Sequence, residues 1–487
     1  MEYKWRALIA VCFGTYMATM DFSIVNVALP TLSNAFDKSP DVVVWATLIS
    51  NLVVTGLTLT AGRLGDLFGR KRIYILGWVI FTLGMGVAGL AQSIAQLIGI
   101  RFFQAIGVSL ALGNGNAIVA DAFPERERGT ALGATGAVVG AGLMTGPILG
   151  GLLLSTAGWQ AIFWMRVPVG LLAMAMAFLL IRPSPPVEGQ RRVDIPGAAA
   201  LFATLSTLVL AVNRGQRWGW ESPTILGLFA IAAISLAIFL RVESRSASPI
   251  LSLGLFKRRA FSIPVVSLVL NFSGQAAVTF LLPFYLINVR GYGSGHTGLI
   301  IATVPAMLLL VSPFAGRVSD RFGFRHQTTL GLALVTAGLA TLATLQMDTP
   351  TSQVVPRLAL IGIGAAIFQS PNSASILSAV PRRMLGTASA AVATSRNIGN
   401  AAGLALASTI LVAVAESSAG VGATRVDRLP ATALLDGIQL AFIVAACFSS
   451  TAIVASLFRS RRDATAETIG PSAGSESSAA GDAPRSP

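Results

Sequence analysis

The sequence predicts an all-α polytopic membrane protein of 14 transmembrane helices, arranged as two six-helix bundles plus two linker helices. Three observations carry this prediction. Hydrophobic residues make up 54% of the 487 and charged residues only 11%, far below the roughly 25% charged that is typical of soluble domains. The apolar residues gather into fourteen stretches of about 20 residues, the length that spans a bilayer as a helix. The second half of the chain also repeats the first.

Taken in order, the first stretch lies near 6–30. It follows Lys4 and Arg6 as a signal peptide would, but it is too long and lacks a small-residue cleavage site, so it is expected to remain as a helix. Five more lie near 43–62, 73–91, 99–121, 130–154 and 160–181. The next segment, from Arg182-Pro183-Ser184-Pro185-Pro186 to Arg191-Arg192, is Pro-rich and charged and reads as a connection outside the lipid. Two spans follow near 195–213 and 223–241, then a second basic connection over 241–259, then six spans near 260–289, 297–316, 327–346, 354–379, 387–414 and 433–457. The expected domains are an N-terminal bundle over 1–185, a two-helix insertion over 186–245 and a C-terminal bundle over 246–462. The Ser-, Ala- and Gly-rich segment 463–487 is expected to be a disordered cytoplasmic tail.

The net charge of +14 would suit a nucleic-acid partner if it were clustered, so its distribution decides. With the N terminus placed in the cytoplasm, alternate loops and the two tails hold 25 of the 35 Lys and Arg. The opposite loops hold six: Lys38, Arg214, Arg217, Arg290, Arg425 and Arg428. This is the positive-inside bias, which puts both termini in the cytoplasm of a cell (inner or plasma) membrane and leaves no basic cluster for nucleic acid. Cys12 and Cys447 both fall in apolar stretches, and His296 and His326 flank loops singly, so neither a disulfide framework nor a metal site is expected. No Walker loop and no G-x-S-x-G occurs, so enzyme chemistry is not expected.

The repeat is clearest at Gly62-Arg63-Leu64-Gly65-Asp66-Leu67-Phe68-Gly69-Arg70-Lys71-Arg72, a polar segment between two apolar runs. It recurs 254 positions later as Gly316-Arg317-Val318-Ser319-Asp320-Arg321-Phe322-Gly323. Two glycines bracketing an aspartate suit a tight turn, and the aspartate is able to accept from a neighbouring helix N-terminus. The segment 6–30 aligns with 259–283 at an offset of 253, and 124–146 with 381–403 at an offset of 257, matching Gly129-Thr130-Ala131 to Gly386-Thr387-Ala388. The two middle spans have no counterpart.

The segment at Gly62 resembles the loop between helices 2 and 3 of the major facilitator superfamily of transporters, and its recurrence strengthens the likeness. The resemblance implies a cytoplasmic gate at Gly62, Asp66, Gly69, Arg70 and Asp121, with Asp320 a weaker partner in the second half; a solvated helix end is the alternative for Asp121. In the first span, Met20-Asp21-Phe22-Ser23-Ile24-Val25-Asn26-Val27-Ala28-Leu29-Pro30 resembles the first helix of the fourteen-span drug:proton antiporters. The fifth span matches G-x8-G-x3-G-P-x2-G-G at Gly133, Gly142, Gly146, Pro147, Gly150 and Gly151, the pattern associated with antiporters. Glycines four apart allow close helix approach and Pro147 favours a kink, so a dry, bendable seam is expected.

Asp21 lies at roughly mid-depth, where a carboxylate costs about 2.5–3.5 kcal/mol on insertion scales. Its repeat counterpart is Gly274, so symmetric packing does not require an acid there. It is either a proton or cation site, or a carboxyl tied to a helix end or an arginine. Arg101 and Gln104 share one face of the fourth span and resemble R-x-x-Q-G-x-G, with Ala105 for the first glycine. Gly158-Trp159-Gln160-Ala161-Ile162-Phe163-Trp164-Met165-Arg166-Val167-Pro168 resembles the subgroup's G-W-R-W-x-F-x-x-N-x-P, with Arg166 in place of Asn. Ser395-Arg396-Asn397-Ile398-Gly399 resembles S-R-Q-x-G.

These likenesses imply a proton-coupled antiporter that exports amphipathic or hydrophobic compounds of the multidrug-efflux type. Asp21 and Arg101 are the expected coupling residues, with no cofactor beyond the proton gradient, a small-molecule cargo and the lipid bilayer as partners, and a monomeric state. Asp21→Asn is expected to abolish uphill export and leave the fold intact. Export of a lipid or endogenous metabolite, or a receptor role on the same fold, stays open. The first and fourth helices of each half are expected to line the cavity with Asn26, Gln104, Asn114, Asn271, Gln275, Phe280, Tyr285, Gln369 and Asn372, joined by Arg396. Arg166 either faces the same cavity or snorkels to the outer surface.

Overall fold

The computed structural model describes residues 2–38, 40–183, 194–246, 250, 253–419 and 430–457. The tail expected over 463–487 and most of the Pro-rich connection after residue 183 lie outside them. Among the described residues there are fourteen long helices and no strand. They are α1 (Tyr3–Phe36), α2 (Trp45–Phe68), α3 (Arg70–Ala88), α4 (Ile94–Ala122), α5 (Arg128–Thr156), α6 (Arg166–Leu180), α7 (Ile195–Trp218), α8 (Pro223–Glu243), α9 (Arg259–Phe284), α10 (Thr303–Phe322), α11 (Phe324–Leu342), α12 (Thr351–Ser378), α13 (Leu385–Ala419) and α14 (Ala431–Leu457). Short helices Ala161–Trp164 and Ser294–Ile301 lead into α6 and α10. Ser93, Asp194 and Ser222 cap α4, α7 and α8 by accepting from the backbone N–H three residues on.

Thirteen segments among the described residues are long and apolar enough to cross a membrane. The helix outside that set, α11, begins Phe324-Arg325-His326-Gln327, and these polar residues dilute its hydropathy. Large apolar side chains such as Leu83, Phe103, Ile148, Leu179, Leu299 and Phe314 stand more than half exposed on the outer faces. In water this surface would aggregate; in hydrocarbon it meets its own kind. The chain is a multi-pass membrane protein.

The repeat reappears in the packing. In the first half α1 packs on α4, α5 and α6, while α2 and α3 pack on α4; in the second, α9 packs on α12, α13 and α14, while α10 and α11 pack on α12. The halves meet along two equivalent lines, α5 against α10 and α2 against α13. The inserted helix α7 pairs with α8 and lies across α2 and α13, where Leu48, Leu52, Val209 and Leu210 pack with Ala401.

The segment 62–72 is not the turn that its glycines suggested. α2 runs on through Gly62, Gly65 and Asp66 to Phe68, and α3 starts at Arg70, so Gly69 alone connects them, at φ 97°. Gly323 does the same at φ 81° between α10 and α11. Only this last glycine needs a left-handed conformation. The first is needed for space: a Cβ on Gly62 would lie 2.3 Å from the carbonyl oxygen of Gly386, and one on Gly316 would lie 2.2 Å from that of Gly129.

Candidate functional site

Asp21 on α1 is 1% exposed and sits between two guanidinium groups that are 0% exposed. Arg101 on α4 donates from Nη1 to Asp21 Oδ1 and Oδ2 at 2.9 and 3.0 Å, and to Gln104 Oε1 at 2.8 Å, while its Nε donates to the carbonyl of Ala46 at 3.1 Å. Arg166, the first residue of α6, donates from Nη1 to Asp21 Oδ1 and from Nε to the carbonyl of Ile162 at 2.7 Å. Its guanidinium lies 5.3 Å from the Phe163 ring. Two cations share one carboxylate. Arg166 Nη2 and Gln104 Nε2 are left buried without an acceptor, so the cluster carries surplus positive charge and surplus donors.

Three expectations change here. Arg166 neither lines an open cavity nor snorkels outward, because α6 packs on α1 and α3 and turns its first residue inward. Gln104, expected in the cavity, is 1% exposed and belongs to this cluster. The cluster also lies off mid-depth: Arg101 is seven residues into a helix that starts at the face opposite the termini, which is about 10 Å at 1.5 Å per residue.

On the terminal face the halves are joined by a pair of matching contacts. Asp66 accepts from the backbone N–H groups of Gly386 and Thr387 at 2.9 Å each, and from Thr387 Oγ1 at 3.2 Å, at the start of α13. Asp320 accepts from the N–H groups of Gly129 and Thr130 at 2.8 Å each, and from Thr130 Oγ1 at 2.5 Å, at the start of α5. Each carboxylate in one half therefore caps a helix of the other, where the helix dipole and free N–H groups favour an anion. Asp320 makes as many of these bonds as Asp66, so at this contact it is not the weaker partner. The asymmetry lies in the arginine: Arg70 donates to Asp66 Oδ1 at 3.0–3.1 Å, reaches Asp121 Oδ2 at 3.4 Å and donates to the carbonyl of Arg382, whereas Phe324 stands at the equivalent position. Arg128, which the sequence reading passed over, adds Nη1 to Ser378 Oγ at 3.1 Å, and Ser370 Oγ donates to the carbonyl of Gly129 at 2.8 Å. The aligned Gly-Thr pairs at 129–130 and 386–387 were the available signal for this latch.

The glycine-rich α5 has two working faces. Gly133 and Gly140 lie against the backbone of α10, whereas Gly142 and Gly146 lie against Thr19 and Ser23 of α1, next to Asp21. Ser23 Oγ donates to the carbonyl of Gly142 at 3.2 Å. Gly150 meets Ile24. Gly151 has nothing within 4 Å of a Cβ, and Pro147 is exposed, so neither belongs to the seam.

The expected cavity residues divide. Asn26 is exposed, and Gln275, Phe280, Gln369 and Arg396 keep some open surface. Asn114 is enclosed, tying α4 to α2 through Ala61 O at 3.0 Å with Gly65 beside it. Asn372 does the same for α12 and α9 through Pro264 O at 2.9 Å. Tyr285 is buried in the apolar core of the second half, its hydroxyl donating to Gln346 O at 2.8 Å. Asn271 is fully buried, with neither Nδ2 nor Oδ1 partnered. Residue type and helix number predict a cavity position for all of these, but helix number does not give the rotation of a helix about its axis.

The sequence pattern of the Major Facilitator Superfamily matches residues 11–404. The chain is 36% identical over 412 residues to the riboflavin transporter RibZ of Clostridioides difficile, covering 84% of this chain and 88% of that protein. It is 33% identical over 407 residues to the multidrug resistance protein Stp of Mycobacterium tuberculosis, covering 83% and 75%. Among solved structures, the human organic anion transporter MFSD10 (TETRAN) superposes with a TM-score of 0.65 over 93% of this chain and 99% of that one, at 16% identity, a likeness of fold.

Proposed function

The chain belongs to the Major Facilitator Superfamily, and from that premise we propose that this transporter is a proton-coupled antiporter exporting amphipathic or hydrophobic small molecules by alternating access. Asp21 supports the coupling role: it is a buried acid in an apolar span, touched by α4 and α6 side chains and adjoining the glycine seam of α5. Protonation would release its hold on Arg101 and Arg166, and the resulting repulsion between two unscreened cations would push α4 and α6 apart from α1. Asp66, Arg70, Asp121 and Asp320 then form the gate on the terminal face, which the positive-inside bias puts in the cytoplasm. One proton moving through 100 mV supplies about 2.3 kcal/mol, enough to sustain about a 40-fold gradient of a neutral solute.

The test is substrate-dependent proton flux in proteoliposomes with an imposed pH gradient, screened over dyes of differing charge. Flux in the parent that vanishes in Asp21→Asn/Arg166→Asn supports the reading; equal flux in both would end it. The similarity to a riboflavin transporter favours a second reading, in which the cargo is an endogenous metabolite carried by the same machinery. Riboflavin in the same screen separates the two.

A further inference from the structure

We propose that Arg396 is an anion-binding residue of the cargo site, and hence that the cargo is an organic anion bearing a carboxylate or phenolate group. This rests on the export reading and names its substrate class. Arg396 lies eleven residues into α13, about 16 Å along the helix from its start, within a segment long and apolar enough to cross a membrane. It stands at the junction of the halves, because α13 packs along α2 and α4 of the first half while Arg396 itself lies on α9 of the second. Its guanidinium carbon is 5.2 Å from the Phe272 ring, and its Nε is buried without a hydrogen-bond partner. Among the described residues no carboxylate lies within ion-pair distance of it.

A cation at this depth needs compensation, and the protein has already committed its one deep acid. Asp21 is held by Arg101 and Arg166, so Arg396 is a further cation that meets no free acid among the described residues. Packing does not require the charge, since the repeat counterpart of Arg396 is Val139. On α9, the helix that carries Phe272, Asn271 is fully buried with both amide atoms unpartnered, and Gln275 Nε2 one turn on is unpartnered as well. Buried amides are seldom left so. A guanidinium, two amide donors and an aromatic face together match a flat anion: the oxyanion takes the donors and the ring system takes Phe272. A cationic cargo would meet repulsion and offer nothing to the free donors.

Binding of fluorescein, with ethidium as the cationic control, is measured by fluorescence anisotropy on the full-length protein in detergent. The parent should bind fluorescein in preference to ethidium. Arg396→Gln should weaken fluorescein about tenfold or more, the loss of a charge-assisted hydrogen bond, and leave ethidium unchanged. Arg396→Lys should stay within about threefold, and Asn271→Leu, which keeps the charge, should weaken fluorescein several-fold. Fluorescein binding unchanged in Arg396→Gln overturns the assignment, and so does a parent that prefers ethidium, a result that needs no variant to fold. Dye transport in proteoliposomes separates the two claims. Fluorescein bound but driven by no proton gradient would remove the antiporter reading and keep the anion site; ethidium driven by protons with fluorescein unbound would do the reverse.

Discussion

Removing the charge of Asp21 has a structural consequence that the sequence did not foretell. With the carboxylate neutral, Arg101 and Arg166 remain buried side by side, and breaking a buried pair by removing one partner costs about 3–5 kcal/mol. Asp21→Asn is therefore expected to lower thermal stability in detergent as well as transport, a cost to set beside the intact fold that the sequence alone predicts. The double variant Asp21→Asn/Arg166→Asn leaves one guanidinium with amide acceptors and should recover most of the lost stability while remaining uncoupled. Thermal unfolding of the two proteins decides; a double variant no more stable than the single would show that the cations do not repel through Asp21.

At the scale of helices, the two faces of α5 predict opposite outcomes for glycines that look alike in sequence. A Cβ on Gly146 would lie 1.8 Å from Ser23 Oγ and 3.1 Å from the backbone nitrogen of Ile24, so Gly146→Ala must displace α1 beside Asp21 and should reduce transport strongly. Gly151→Ala meets nothing within 4 Å and should be neutral; equal loss in both would mean that the seam acts through kinking instead of close packing. The latch gives a second pair. Asp66→Asn and Asp320→Asn each weaken charge-assisted bonds to a helix start, worth about 1.5–3 kcal/mol apiece. Both should raise the reactivity of a cysteine placed at Thr130 or Thr387 toward a membrane-impermeant reagent applied from the terminal face. An effect confined to Asp66→Asn would restore the unequal gate read from the sequence.

For the whole molecule, alternating access requires the halves to part along α5–α10 and α2–α13 on the terminal face. The Cβ of a residue at Gly136 would lie 3.3 Å from Ser312 Cβ, slightly under the 3.5–4.5 Å of disulfides. In a background lacking Cys12 and Cys447, Gly136→Cys/Ser312→Cys should cross-link on oxidation, stop transport and recover it under reductant. Full transport in the cross-linked protein would show that α5 and α10 move as one body. On the other line, α7 spans α2 and α13, so the inserted pair covers that junction.

The sequence by itself determined what depends on composition and register: the spans, because hydrocarbon thickness fixes how many apolar residues a helix needs; the repeat, because Gly62, Asp66 and Gly69 recur at one spacing as Gly316, Asp320 and Gly323; and the identity of the buried acid, because one carboxyl among apolar residues has few bland explanations. It also marked Asp66 and Asp320 as acceptors for a helix start. The tertiary structure alone decided which partners meet. Residues 21, 101 and 166 are brought together by the rotation of α1, α4 and α6 about their axes, a quantity set by side-chain packing across the whole bundle and absent from any local spacing. The same rotation withdraws Asn114, Tyr285 and Asn372 into helix contacts and leaves Arg396 without an acid among the described residues. A sequence fixes which residues share a face of one helix; which faces share a site depends on how every helix packs against the others.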